Sequence, residues 1–168
     1  MQHGVAVRTA RSDDVPAVQR VAAVTWRATY AGQIPEADIA QFLESAYSER
    51  NLTAALSRLA DGFIVAESDG VATGYAMAGL NREGEPELYA LYVLPEHQGA
   101  GVGQALWDAA KAALAVQGYS RMCCWVLAGN DRARHFYERQ GAFLSEEREF
   151  AIGTTMVREA RYCVAIGR

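Results

Sequence analysis

Hydrophobic residues recur along this chain with two different periods. After Ser12-Asp13-Asp14, a helix start with acid at the positive end of the dipole, Val15, Val18, Val21, Ala22 and Trp26 keep helical spacing to about Tyr30. Gly32 and Pro35 end that run, and a second helical region follows from about Glu36 to Ala60, in two pieces. A short strand around Val5–Val7 precedes them. From residue 63 the period shortens. Phe63–Ala66 and Ala72–Ala78 read as strands joined at Ser68-Asp69-Gly70, a hairpin signal. Glu87–Leu94 is apolar on both faces after its first residue, as a central strand is. Gly101–Gln117 then reads as helix, Met122–Leu127 as strand, Asn130–Gln140 as helix, and Ala142–Ile152 and Thr155–Ile166 as strands. The order predicts a mixed α/β fold, with a partly parallel central sheet of about seven strands flanked by helices, in one domain spanning residues 1–168.

Composition narrows the chemistry. A chain of 168 residues that is 51% hydrophobic can bury a substantial core, which excludes a disordered tail. The net charge of −4 argues against a nucleic-acid partner held by bulk electrostatics. No stretch reaches the roughly 18 apolar residues of a membrane span, and the N-terminus MQHGVAVRTARSDD carries no apolar leader, so a cytoplasmic protein with no membrane partner is expected. Cys123 and Cys124 are neighbours, and strand neighbours face opposite ways, so they make a poor disulfide or zinc pair. All three cysteines are expected to be reduced, buried small hydrophobes, and no metal site is expected.

The strongest local signal is Gln98-Gly99-Ala100-Gly101-Val102-Gly103, between a buried strand and a helix. Alternate glycines let backbone N–H groups crowd round an anion at the helix's positive end. The familiar phosphate motifs do not fit. A dinucleotide fingerprint begun at Gly99 meets Gln104 where it needs glycine or alanine; begun at Gly101 it meets Leu106. No Gly-Lys-Ser/Thr triplet occurs for a P-loop.

Gln98-x-x-Gly101-x-Gly103, behind Leu91-Tyr92-Val93-Leu94-Pro95, resembles the acetyl-CoA-binding motif of the GNAT N-acetyltransferase superfamily. Asn130-Asp131-Arg132-Ala133-Arg134-His135-Phe136-Tyr137-Glu138 resembles its second signature, and the element order matches along the whole chain. One departure is Gly141-Ala142-Phe143, where the family has Gly-Phe, which puts the register of the next strand in question. The resemblance implies acetyl-CoA as co-substrate. It places the pyrophosphate on the amides of Gln98, Gly99, Ala100, Gly101, Val102 and Gly103, and the pantetheine arm along Leu91, Tyr92 and Val93, with an N–H near Val93 polarising the thioester carbonyl. Asn130 would bond the cofactor or cap its helix, and Ala133 and Phe136 would complete that wall. Tyr137 matches the family's general acid; read from residues alone, Phe136 and Tyr137 are core aromatics. Glu87, eleven residues before Gln98, matches the base of histone-acetylating members, and strand alternation puts it on one face with Tyr89, Leu91 and Val93. Alternatively it is a solvated carboxylate beside Glu83 and Glu85. His97 and His135 are expected at the surface, and neither Cys123 nor Cys124 has an evident histidine base.

The expected acceptor is a small amine, with a polyamine first and a protein N-terminus or side-chain amine second. Residues 61–97 carry seven acids against Arg82 alone, which reads either as a field that attracts a cationic substrate or as a solvated hairpin loop at Asn81–Glu87. Trp26-x-x-x-Tyr30-x-Gly32-x-Ile34-Pro35 and Phe42–Tyr47 weakly resemble bacterial spermidine/spermine acetyltransferases, with Trp26, Tyr30 and Tyr47 as pocket or helix-core residues. A CoA-binding sensor without turnover and a generic nucleotide-binding protein are the rivals. A homodimer is compatible with the family.

Overall fold

The computed structural model describes residues 4–167; residues 1–3, part of the N-terminal stretch read above, and residue 168 lie outside it. In chain order the elements are β1 (Ala6–Thr9), α1 (Val15–Tyr30), α2 (Glu36–Ala46), α3 (Glu49–Leu59), β2 (Phe63–Ser68), β3 (Val71–Leu80), β4 (Pro86–Val93), α4 (Val102–Ala115), β5 (Arg121–Leu127), α5 (Asp131–Arg139), β6 (Phe143–Ile152) and β7 (Thr155–Ala165). The seven strands form one sheet in the order β1-β2-β3-β4-β5-β7-β6. Every neighbouring pair is antiparallel except β4 and β5. The crossover between those two is α4, as a parallel connection requires.

The helices cover the two faces unequally. Leu106, Trp107, Ala110 and Leu114 of α4 and Tyr137 of α5 pack with Ala76, Leu88, Met122 and Cys124 on one face. On the other, Val18, Val21 and Ala22 of α1 and Leu52 and Leu59 of α3 pack with Val65, Tyr75 and Met77. The end of α1, with α2, closes that face over Leu127 and Ile152 through Trp26, Tyr30 and Ile39. The helix start read at Ser12 is a 3-10 turn, and Asp14 ties it down: its carboxylate accepts from the Arg11 N–H at 2.7 Å and from Arg8 at 2.7 and 2.8 Å.

Two features of the sheet decide where the site lies. First, β4 pairs with β5 at only two positions, Glu87↔Cys123 and Leu88↔Cys124, and then diverges, leaving the edge of β4 from Tyr89 to Val93 without a strand partner. Second, Ala78 pairs with Leu88 but Met77 pairs with Ala90, so Tyr89 is the extra residue of a β-bulge. Leu88, Leu91 and Val93 therefore share the α4 face, while Ala90 packs on the α1 face. Glu87 lies opposite Gly79, one step from Ala78, and so faces α1. This corrects the alternation expected from sequence: the inserted residue takes Glu87 off the face of Leu91 and Val93.

Cysteine placement also departs from expectation. β5 and β7 bring Cys123 opposite Cys163, and their sulfurs are bonded, with the Cα atoms 4.1 Å apart. The two lie forty residues apart and have no spacing signal, so only the sheet order brings them together. Cys124 is the free, buried thiol that the sequence predicted.

Candidate active site

The chain leaves β4 at Val93, turns through Pro95–His97 and enters α4 at Val102. Gly99 and Gly101 hold φ of +78° and +85°, a left-handed conformation that favours glycine, and a Cβ on either would meet open space. The first N–H groups of α4 have no intrahelical carbonyl, so an anion in the cradle is met by amides and by the helix dipole together. Ala100 is exposed between the two glycines, whereas Val102 is buried and pins the helix start. Gly103 sits under Phe136, at ordinary contact distance for an added methyl. Gln98 folds back so that Nε2 donates to the Val93 carbonyl at 3.0 Å. The Leu94 N–H donates to Thr73 across β3, so the N–H and carbonyl of Val93, by alternation, project to the open edge of β4.

Between this edge and α5 runs a cavity of about 660 Å³. Gln98, Gly99, Gly101 and Gly103 line one end, Leu91, Tyr92 and Val93 one side, and Asn130, Ala133, Phe136 and Tyr137 the other, with Thr25 and Thr29 of α1 opposite. The structure thus brings the two sequence signatures to one cavity. Asn130 caps α5, its Oδ1 accepting from the Ala133 N–H at 3.2 Å, and its Nδ2 donates to Tyr30 Oη at 3.5 Å. Tyr137 is buried against Trp107 and Tyr162, with its phenol beside the Cys124 thiol. Burial pushes the Tyr137 hydroxyl well above the usual tyrosine range, and pushes the Cys124 thiol up to about 12. Burial thus favours the neutral, protonated form of both groups.

Where β4 and β5 part, a slot of about 170 Å³ passes through to the α1 face. Trp26, Tyr30, Phe42, Tyr92, Trp125 and Phe150 line it, with Tyr137 at the cavity end. Its one charged lining residue is Glu159 of β7. Arg148 of β6 donates from Nε to Glu159 Oε1, and its guanidinium stacks 3.8 Å over the Trp125 ring. Oε2 has no protein partner among the described residues. Sequence reading missed Trp125, Arg148, Phe150 and Glu159; Glu159 stands between Arg158 and Arg161 in the last strand, so nothing in the sequence singles it out. Tyr47, a pocket candidate, lies instead in the core, where Tyr75 Oη donates to its hydroxyl at 2.7 Å.

Glu87 lines neither the cavity nor the slot; it sits in a neighbouring pocket with Asn81, Tyr89, Trp125 and Arg148, of which Tyr89 and Trp125 also line the slot. It is half-buried, and desolvation raises its pKa against the opposing pull of Asn81, Arg148 and Arg161. Among the described residues no group of three or more His, Cys, Asp or Glu side chains is arranged to hold a metal, and no helix is long and apolar enough to cross a membrane.

The profile of the Acetyltransferase (GNAT) family matches residues 23–142, a span from the middle of α1 to the residue before β6. The chain belongs to the GNAT acetyltransferase family. It is 32% identical to the uncharacterized N-acetyltransferase YuaI of Bacillus subtilis over 92% of this chain and 90% of that one. An uncharacterized N-acetyltransferase of Mycobacterium tuberculosis is 30% identical, over 87% of this chain and 97% of the other. The PaiA N-acetyltransferase of Thermoplasma acidophilum, solved with coenzyme A, shares the fold at a TM-score of 0.80, with 23% identity and coverage of 95% and 99%. Membership makes this GNAT chain an N-acetyltransferase with acetyl-CoA as its co-substrate, and the glycine cradle and open β4 edge fit that ligand's anionic and amide-rich parts.

Proposed function

We propose that this enzyme acetylates a primary amine of a small cationic molecule, a diamine or polyamine first, by direct attack with both substrates bound. When bound, acetyl-CoA supplies an activated acyl group. The amides from Gln98 to Gly103 take the pyrophosphate, and the free backbone of β4 pairs with the pantetheine amides as an added strand would. The Val93 N–H, aimed at the open edge, polarises the acyl oxygen. As the amine nitrogen bonds to the acyl carbon and the carbon–sulfur bond breaks, Tyr137 donates its phenol proton to the departing sulfur. Glu87 accepts the proton that the amine loses, directly or through water. That base is needed because an amine of pKa ~10.4 is almost wholly protonated at pH 7, which costs about 4–5 kcal/mol in free nucleophile.

The observation that carries the substrate class is Glu159. Arg148 holds Oε1 of this carboxylate, and Oε2, without a protein partner among the described residues and set in aromatic walls, suits an alkylammonium: the charge pairs with Oε2 and the methylenes lie on the rings. The attacking nitrogen must be neutral at transfer, so the ammonium that stays on Glu159 is a second one, and this favours diamines over monoamines. The test offers the protein acetyl-CoA and a panel of monoamines, diamines, polyamines and peptide N-termini while thiol release is followed. Release is expected with diamines or polyamines, and Glu159→Gln should raise KM for them about tenfold while calorimetric acetyl-CoA affinity holds. Turnover confined to peptides, or acetyl-CoA binding with no turnover on any amine, overturns the reading.

A further inference from the structure

The β6–β7 hairpin overhangs the rest of the sheet. β7 pairs with β5 only from Glu159 to Ala165, while Thr155, Met156 and Val157 pair with Ile152, Ala151 and Phe150 of β6, the edge strand. The overhang nevertheless carries one wall of the slot. Phe150 and Ile152 line it with Trp26 of α1 and Phe42 of α2, whose rings stack with centroids 4.2 Å apart. A wall with no strand beyond it needs a directional fastening, because apolar contact alone has no preferred direction and lets the surfaces slide.

Helix α2 supplies that fastening through one side chain. Asp38, in the first turn of α2, is only 4% exposed, and its hydrogen-bond donors come from the tip of the hairpin. Oδ1 accepts from the Thr154 N–H at 3.0 Å, and Oδ2 accepts from the Thr154 and Thr155 hydroxyls at 3.0 and 2.6 Å. Hydrogen bonds to an ionised acceptor are shorter and stronger than neutral ones. Gly153 makes room for them: its φ is +58°, and a Cβ there would collide with Asp38 Oδ1. Ile39 and Ile152, the chain neighbours of Asp38 and Gly153, are buried in one cluster with Trp26 and Tyr30. The tie therefore sets how near the Phe150 and Ile152 wall stands to the wall made by α1 and α2.

We propose that Asp38 is a positioning residue for acceptor choice: by tying the hairpin tip to α2 it keeps the slot narrow, so that an unbranched alkylamine is preferred to a bulky one. The inference rests on the slot being the acceptor site, as proposed above, and adds a residue that touches neither substrate. A slot of about 170 Å³ suits a slender chain, and a wall free to move outward admits a ring.

The test compares diaminobutane with para-xylylenediamine, two diamines that differ in girth and share the second ammonium for Glu159. Wild type should favour diaminobutane in kcat/KM. Asp38→Ala and Thr155→Val should raise KM for diaminobutane about tenfold and shrink the preference by a similar factor, with calorimetric acetyl-CoA affinity unchanged. Thr155→Ser keeps the hydroxyl and should behave as wild type. Hydrogen exchange should quicken at the amides of residues 150–157 in the first two variants while β5 keeps its protection. Asp14→Asn, which weakens the tie to Arg8 and Arg11 at the far end of α1, serves as the stability control: it should melt lower and leave the preference alone. A loosened tip with an unchanged preference overturns the role of Asp38, as does a tip that exchanges at the wild-type rate or an equal change in Asp14→Asn. Failure of the small-amine reading looks different: wild type would acetylate peptides only, and a rise in peptide KM in the same two variants would still uphold Asp38.

Discussion

Replacing Tyr137 with phenylalanine separates chemistry from packing at this site. The Tyr137 ring has centroid distances of 5.6 Å to Trp107, 5.7 Å to Phe136 and 6.1 Å to Tyr162, and its residue is 6% exposed. Phenylalanine keeps all those contacts, so the only loss is a hydroxyl beside the weakly bonding Cys124 thiol. The stability cost is accordingly about 1 kcal/mol or less, a shift in melting temperature of roughly 2–4 °C for a chain of this size. The catalytic cost is much larger. A positioned general acid contributes ~10²–10⁴-fold, or about 3–5 kcal/mol of barrier. Thiol release at saturating amine reads kcat, and calorimetry with acetyl-CoA confirms that the cavity is intact. Burial holds the Tyr137 hydroxyl protonated well above pH 10, so the loss should be the same factor at every pH from 6 to 9. A kcat within about threefold of wild type, with acetyl-CoA affinity retained, would refute the role and return Tyr137 to the core cluster.

Glu87 and Gly62 give three further predictions. If Glu87 is the base, wild-type kcat/KM falls with decreasing pH through a value above the ordinary carboxylate range, because desolvation raises its pKa; Glu87→Gln should lose that limb and most of the rate. The sign for stability is the reverse of the usual carboxylate case: a folded pKa above the unfolded one means that the ionised group costs stability at neutral pH, so Glu87→Gln should melt no lower than wild type at pH 7–8. At Gly62 an added Cβ would lie 1.9 Å from the Ala78 carbonyl oxygen, a backbone atom that cannot swing away. Gly62→Ala should therefore cost about 2–4 kcal/mol in denaturant unfolding, and a cost below about 0.5 kcal/mol would refute a tight approach of Gly62 to the Ala78 carbonyl.

The elements were legible because each runs long enough for its period to register. The valines of α1 and the apolar run of β4 declared themselves at once, and the glycine cradle was visible because φ > 0 restricts residue choice. The strand after Gly141-Ala142 begins at Phe143, and neither Gly141 nor Ala142 lines the cavity. What sequence could not give is whatever depends on strands meeting. The Cys123–Cys163 bond needs β5 beside β7, and the slot needs the β6–β7 hairpin to bring Arg148 and Glu159 over Trp125. The bulge at Tyr89 was hidden for another reason. Tyrosine is an ordinary strand residue, and no glycine or proline marks the extra position.

That bulge is also the step that makes the two halves of the site compatible. Leu88 and Leu91 both belong on the α4 face, where Leu106, Trp107 and Leu114 form the core, and they are an odd number of residues apart. In a regular strand one of them would turn to the α1 side, and moving the register to save Leu91 would drive Glu87 beneath α4 among side chains with nothing to pair it. A carboxylate left there would be neutralised by its surroundings and lost to proton transfer. With one residue inserted, β4 keeps its apolar face whole while Glu87 emerges on the face that carries Trp125, Arg148 and Glu159. The parting of β4 from β5 begins at the same place, just after Leu88, so the edge freed for the cofactor and the turn that exposes the carboxylate arise from one irregularity in one strand.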